Sequence, residues 1–199
     1  MRHLLISIFG LGLASFAGIA GAQEDCTDIA DNAARLSCYD AKYRPATASS
    51  TVSRWVVRQE KSKIDDTRNV FLSSTADEPV PGQFGASATP VLFIRCSENQ
   101  TSLYIAFDDL FMADIQGYGR VTFRKDSEKA FTENLDVSTD NHALGYWSGA
   151  QAIPMTKKLL GGDALLVRAT PFNESAVTFT VPIAGLEQAI APLREACGW

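Results

Sequence analysis

The chain has 199 residues, 46% of them hydrophobic and 21% charged. That is enough length and apolar content for one folded domain with a small appendage, and it excludes a largely disordered or low-complexity chain. A formal net charge of −5 leaves no basic footprint for nucleic acid or anionic lipid, so no nucleic-acid partner is expected.

In chain order, Met1-Arg2-His3 is followed by an apolar run over residues 4–22, broken only by Ser7 and Ser15. The run ends Ala20-Gly21-Ala22 before Gln23. A charged start, an apolar centre and small residues at an A-x-A site describe a cleaved secretory signal peptide over residues 1–22. Its most apolar part, residues 4–17, is shorter than the roughly 20 residues that span a bilayer. No later stretch is long and apolar enough to cross, so no transmembrane segment is expected after cleavage, and the mature chain is expected in the periplasm.

Four cysteines follow: Cys26, Cys38, Cys96 and Cys197. An even count in an exported chain reads as disulfides, and four cysteines allow three pairings. The spacing favours Cys26–Cys38 and Cys96–Cys197. In the chain-entropy picture, loops of these sizes contribute about 3 and about 4.7 kcal/mol. A zinc site needs clustered Cys/His spacing, which is missing, and no metal or cofactor is expected. Twelve residues of continuous helix would hold two Cα atoms roughly 18 Å apart, whereas a disulfide needs them within about 7 Å. The chain must therefore break between Cys26 and Cys38. Asp31 is placed to cap a helix that starts near Asn32 and reaches about Tyr43. This gives a small cysteine-bridged helical segment over residues 23–44. Residues 45–52, small and polar, read as a linker.

The main domain is expected over residues 53–199. Its β-prone stretches are 54–59, 69–73, 91–96, 101–107, 119–124, 143–148, 164–169 and 176–181. Glu98-Asn99-Gln100 turns one hairpin, and Pro171-Phe172-Asn173-Glu174 turns another. Residues 77–88, with two prolines and two glycines, read as a long loop. A helix over about 150–160 stops at Gly161-Gly162, with Lys157 and Lys158 suiting its C-terminal dipole. A second helix over about 185–197 carries the apolar stripe Leu186, Ile190, Leu193 and Cys197. Many strands in hairpins with few helices predict an α+β fold: a mostly antiparallel, sandwich-like domain with a C-terminal helix, preceded by the small disulfide-tied helical segment.

No catalytic constellation stands out. His142, the one histidine left after cleavage, lies in the loop-like Thr139-Asp140-Asn141-His142, and G-x-S-x-G is absent. Asp65-Asp66, Asp108-Asp109 and Asp114 are carboxylate clusters, but adjacent aspartates in polar loops are ordinarily turn residues. They also lack the order of an EF-hand loop. Trp55, Trp147 and Trp199 read first as core, with Gly145-Tyr146-Trp147 next to Ser148-Gly149 a candidate exposed patch for glycan or protein. The chain is therefore expected not to be an enzyme, and no catalytic residue is assigned.

An ordered set of motifs resembles a known family. Trp55 opens the domain. Ser62-Lys63-Ile64-Asp65-Asp66-Thr67 precedes Asn69-Val70-Phe71-Leu72. Pro90-Val91-Leu92-Phe93-Ile94-Arg95-Cys96 leads to Thr101-Ser102-Leu103-Tyr104-Ile105. Val121-Thr122-Phe123-Arg124 follows, and Gly185-Leu186-Glu187-Gln188-Ala189-Ile190 with Leu193-Arg194-Glu195-Ala196-Cys197-Gly198-Trp199 closes the chain. Over residues 53–199 this set resembles the VasI/TagO family of type VI secretion-associated proteins. Residues 26–40 resemble a small cysteine module found ahead of such domains. The resemblance implies an exported accessory protein whose partner is an envelope or secretion-apparatus protein. An alternative reading is a periplasmic inhibitor or immunity-type protein against a cell-wall hydrolase, with Asp108-Asp109 plugging a cleft.

Overall fold

A computed structural model describes residues 26–43, 53–82 and 85–199. The expected signal peptide and the linker lie outside the described residues. The chain divides between Ser49 and Ser50 into two units.

In the first unit a 3-10 turn over Cys26–Asp28 precedes helix α1 (Asn32–Tyr43). Asp31 caps α1, its Oδ1 accepting the Ala34 N–H at 2.8 Å. The break ahead of Asp31 brings the Cα atoms of Cys26 and Cys38 to 5.6 Å, and the two sulfurs are bonded. Among its described residues Cys26 is buried, while Leu36 is 62% exposed.

The second unit contains strands β1 (Val56–Lys61), β2 (Arg68–Thr75), β3 (Val80–Pro81), β4 (Ser87–Ala88), β5 (Val91–Ser97) and β6 (Gln100–Ala106). It continues through β7 (Arg120–Lys125), β8 (Phe131–Asn134), β9 (Asp136–Val137), β10 (Ala143–Tyr146), helix α2 (Gly149–Leu159), β11 (Ala164–Ala169) and β12 (Val177–Pro182). It ends in helices α3 (Leu186–Ala189) and α4 (Ala191–Cys197). A six-stranded sheet runs β1-β2-β5-β6-β10-β9, a four-stranded sheet β12-β11-β7-β8, and β3 pairs with β4. Every pairing is antiparallel. This is the expected sandwich-like α+β architecture.

The alternation of side chains explains which faces meet. Along β5, Leu92, Ile94 and Cys96 are buried, while Val91, Phe93, Arg95 and Ser97 are only partly so. Leu72, Leu103, Ile105 and Leu144 extend the buried face across the first sheet. Val121, Phe123, Leu165, Val167, Phe179 and Val181 supply the facing layer from the second, with Phe107 edge-on to Phe179 at 5.9 Å. Hydrogen bonds tie the layers: Ser74 donates its hydroxyl to the Pro182 carbonyl at 2.6 Å, and Trp55 its indole N–H to Ile183 at 3.2 Å. Trp55 is buried, as a core tryptophan should be. The β5–β6 hairpin turns on Glu98 and Asn99, both at positive φ, as a two-residue primed turn requires.

Three local expectations are corrected. Residues 131–137 form β8 and β9, although Thr132-Glu133-Asn134 carries no strand signal. β8 is an edge strand held by its pairing to β7, which supplies the partner groups that its own sequence does not advertise. The loop over residues 77–88 contains the short β3–β4 pair. The terminal helix is two pieces, interrupted at Ile190. Pro192 has no N–H to give to the carbonyl four residues earlier, so the first helix stops and a new one starts around it. The apolar stripe survives the break, with Leu186, Ile190 and Leu193 all buried.

Cys96 at the end of β5 and Cys197 at the end of α4 are bonded, with Cα atoms 5.8 Å apart. Trp199 then folds back and donates its indole N–H to the Thr101 hydroxyl at 2.8 Å. Helix α4 thus sits against the buried side of the first sheet, on β2 and β5.

Candidate functional site

Most of the loop carboxylates have partners within the fold. Asp65 accepts the Thr67 N–H and hydroxyl and ties down its own turn, and Asp66 pairs with Lys61. Asp108 accepts the Thr89 N–H and Asp114 the Val137 N–H, each joining segments distant in sequence. Asp140 is held below the usual carboxylate range, first by the Ser138 hydroxyl and then by the His142 N–H. His142 itself places Nδ1 3.2 Å from the Leu110 carbonyl. Among the described residues, no group of three or more His, Cys, Asp or Glu is arranged to hold a metal ion.

A cleft of about 300 Å³ opens between α2 and the sheets, lined in part by Glu133, Tyr146, Met155 and Lys158. Glu133 accepts the Tyr146 hydroxyl at 2.9 Å and the Lys158 ammonium at 3.1 Å. Lys158 also stands 4.0 Å from the centre of the Phe131 ring. Burial, then the Glu133 carboxylate, pushes the Tyr146 phenol far above its ordinary range, so it remains a proton donor. The trio closes on itself and bridges the second sheet to β10 and α2. It presents neither a nucleophile nor a free base.

The outer side of the first sheet is different. Register builds it in two rungs. One runs Arg58, Phe71, Arg95, Ser102 across β1, β2, β5 and β6. The next runs Val56, Ser73, Phe93, Tyr104, Gly145, Asp136 from β1 to β9. Trp147, just past β10, leans back over Tyr104. Phe93 stacks on Tyr104 with ring centres 5.1 Å apart, and Tyr104 on Trp147 at 5.0 Å. Arg58 lies over Phe71 at 5.1 Å and Arg95 over Tyr104 at 5.3 Å. Such contacts are worth about 0.5–1 kcal/mol each at exposed positions. The Arg95 Nε–H is fixed on the Ser102 hydroxyl at 2.9 Å, and the Trp147 N–H on the Asp136 carbonyl at 3.1 Å. Burial raises the Tyr104 phenol above its usual range, offset in part by the Arg95 charge.

Phe71, Phe93, Tyr104 and Trp147 are half-buried, and Val56 is 65% exposed. Three of these rings form one stack, and the Arg58 and Arg95 guanidiniums lie over Phe71 and Tyr104.

The family model for type VI secretion system VasI, EvfG matches residues 25–199. The chain belongs to the VasI family. Among curated proteins no match is found. A solved structure, invasion associated protein b from Bartonella henselae, is similar at 9% identity and a TM-score of 0.44, over 74% of this chain and 96% of that one.

In this VasI-family chain the sequence signal reached only part of the outer face. Tyr146-Trp147 reads as a candidate patch from sequence, but Tyr146 turns inward to Glu133 and only Trp147 joins the face. Phe71, Phe93, Arg95 and Tyr104 lie in the stretches that carry the family resemblance, but nothing in those stretches marks them as one face, and Arg58 lies outside them. The alternation within β5 marks Phe93 and Arg95 as facing away from Leu92 and Ile94, which is the one local hint.

Proposed function

We propose that this VasI-family chain is an exported accessory protein of the cell envelope that acts in the periplasm by protein–protein contact, serving a type VI secretion apparatus. The family membership supports the secretion context, and the two disulfides fit an oxidising compartment. The observation that carries the binding mode is the half-exposed aromatic and arginine layer on the outer side of the first sheet. The protein is read as a binder and not an enzyme: His142, Asp65, Asp108, Asp114 and the Glu133 trio make hydrogen bonds inside the fold. The alternative, an inhibitor that plugs a cleft with Asp108-Asp109, is less well supported, because Asp108 is engaged with the Thr89 backbone.

Site-specific photo-crosslinking in the native envelope tests this. A crosslinking side chain at Val56, on the aromatic face, is expected to give discrete adducts with one or a few envelope proteins. The same group at Leu166, on the outside of the second sheet, is expected to give none. Adducts only from Leu166, or a type VI secretion output unchanged when Phe93 and Trp147 are both replaced with alanine, would overturn the proposal.

A further inference from the structure

The outer face of the first sheet also specifies what it takes. We infer that it docks an acidic protein segment, with partner carboxylates placed on Arg58 and Arg95; this rests on the reading of that face as a protein contact. Three observations converge on it.

The first is how the rings stand. Phe93, Tyr104 and Trp147 are stacked on one another with interplanar angles of 15° and 28°. Tyr104, between two stacking partners and the Arg95 guanidinium, has little flat face left, while Phe93 and Trp147 each spend one face on it. A sugar ring or a base needs an open aromatic face, which the centre of this stack does not offer. The edges of stacked rings carry the positive rim of the aromatic quadrupole and suit electronegative oxygen.

The second is the state of the arginines. Among the described residues, the ion pairs engage Arg54, Lys61, Arg68, Lys125 and Lys158, and neither Arg58 nor Arg95 meets a carboxylate. Both guanidiniums are laid on rings, which fixes their planes at little further entropic cost when a carboxylate arrives. Glu60, two residues from Arg58 on β1, and Asp136 on β9 share this side of the sheet, and among the described residues neither forms an ion pair with an arginine.

The third is contrast. The chain as a whole carries −5, yet this face holds Arg58 on β1 and Arg95 on β5, neither of them neutralised by an ion pair among the described residues. A local reversal of sign steers an acidic partner to one place and repels it elsewhere. Arg58 and Arg95 are two strands apart, about 10 Å. An extended partner segment would reach both with acidic residues two to four positions apart.

The test is selection of a random peptide library against the mature chain with both disulfides formed. Enriched peptides are expected to pair two Asp or Glu at that spacing with an aromatic or branched apolar residue. For the best of them, Arg58→Gln and Arg95→Gln should each weaken binding about fivefold at low salt, and together about twentyfold or more. Added salt should weaken it further, and Leu166→Ser should leave it unchanged. Arg58 is exposed on an edge strand, so its replacement leaves the fold intact and keeps the test decisive. Enriched peptides without acidic residues, lost in Trp147→Ala but indifferent to both arginine changes, would overturn this inference and leave the protein-contact reading standing. No enrichment, or binding indifferent to Phe93→Ala and Trp147→Ala, would overturn both.

Discussion

Gly145 stands directly opposite Tyr104 in the β10–β6 register, and a side chain there would run into the tyrosine. A Cβ at this position would collide with the Tyr104 Cβ and fall 2.6 Å from the Leu103 carbonyl oxygen. The missing side chain is what lets Tyr104 lie where both Phe93 and Trp147 stack on it. Gly145→Ala is therefore expected to cost about 2 kcal/mol or more, because the obstruction is backbone and Cβ and not a flexible tip. Thermal unfolding would report the loss. Near-UV circular dichroism would report disruption of the Tyr104–Trp147 pair. A variant with wild-type stability and an unchanged aromatic spectrum would contradict the account of the face.

The Cys96–Cys197 bond joins a buried strand end to the last helix across 101 residues. Breaking it releases α4 and Trp199 from the sheet as well as restoring chain entropy to the unfolded state. Cys96→Ser or Cys197→Ser is expected to lower stability by about 2–5 kcal/mol in chemical denaturation. Cys38→Ser should cost the main domain far less, since its bridge closes a local loop in the other unit. Peptide mapping without reduction should return the two pairs as stated, and a Cys26–Cys96 or Cys38–Cys197 fragment would break the scheme.

Much of the fold is legible in the sequence where the signal is local. The apolar β5–β6 hairpin, the Asp31 cap and the Leu186, Ile190, Leu193 stripe each depend on residues a few positions apart. The cysteine pairs follow from compartment and spacing. What is not legible depends on strand order. Phe71, Phe93, Tyr104 and Trp147 come from four segments spread over 77 positions, and they meet only because β2, β5, β6 and β10 are neighbours. The polar residues of β8 and β9 become strands because β7 and β10 offer them partners. Pro192 is plain in the sequence, but an amphipathic stripe running through it reads as one helix until the break is seen.

Acid should weaken the tie between β2 and the terminal helix. Arg68 donates to the Pro192 carbonyl at 2.9 Å and to Glu195 at 2.7 Å, and this contact holds the exposed Glu195 carboxyl below the ordinary glutamate range. A folded-state value below the unfolded one means the contribution is present above the unfolded value, about 4.3, and is lost as pH falls through the folded value. In Arg68→Met the Glu195 titration followed by NMR is expected to return to the ordinary range, and the acid limb of stability against pH to become shallower. An unchanged Glu195 midpoint would remove the arginine as the cause.

The expected signal peptide predicts that the mature chain starts at Gln23. N-terminal sequencing of protein recovered from the periplasmic fraction checks this directly, and a chain still beginning at Met1 would end the exported reading.

The first unit is expected to be dispensable for folding of the second. Among the described residues, the hydrophobic core begins at Trp55 and runs to Leu193, with no member from residues 26–43. The long disulfide lies wholly within the second unit, and so does the β1–β2 pairing that opens the sheet. Deleting residues 23–50 should therefore leave the cooperative thermal transition in place, with stability changed by no more than about 0.5 kcal/mol. The cut must stop short of Trp55, whose buried indole donates to Ile183 and closes the domain at its start. By contrast α1, 12 residues long, is marginal as a helix on its own, so reducing Cys26–Cys38 in the isolated segment should abolish its helical circular dichroism. Loss of the main transition on deletion would show that the two units share a core.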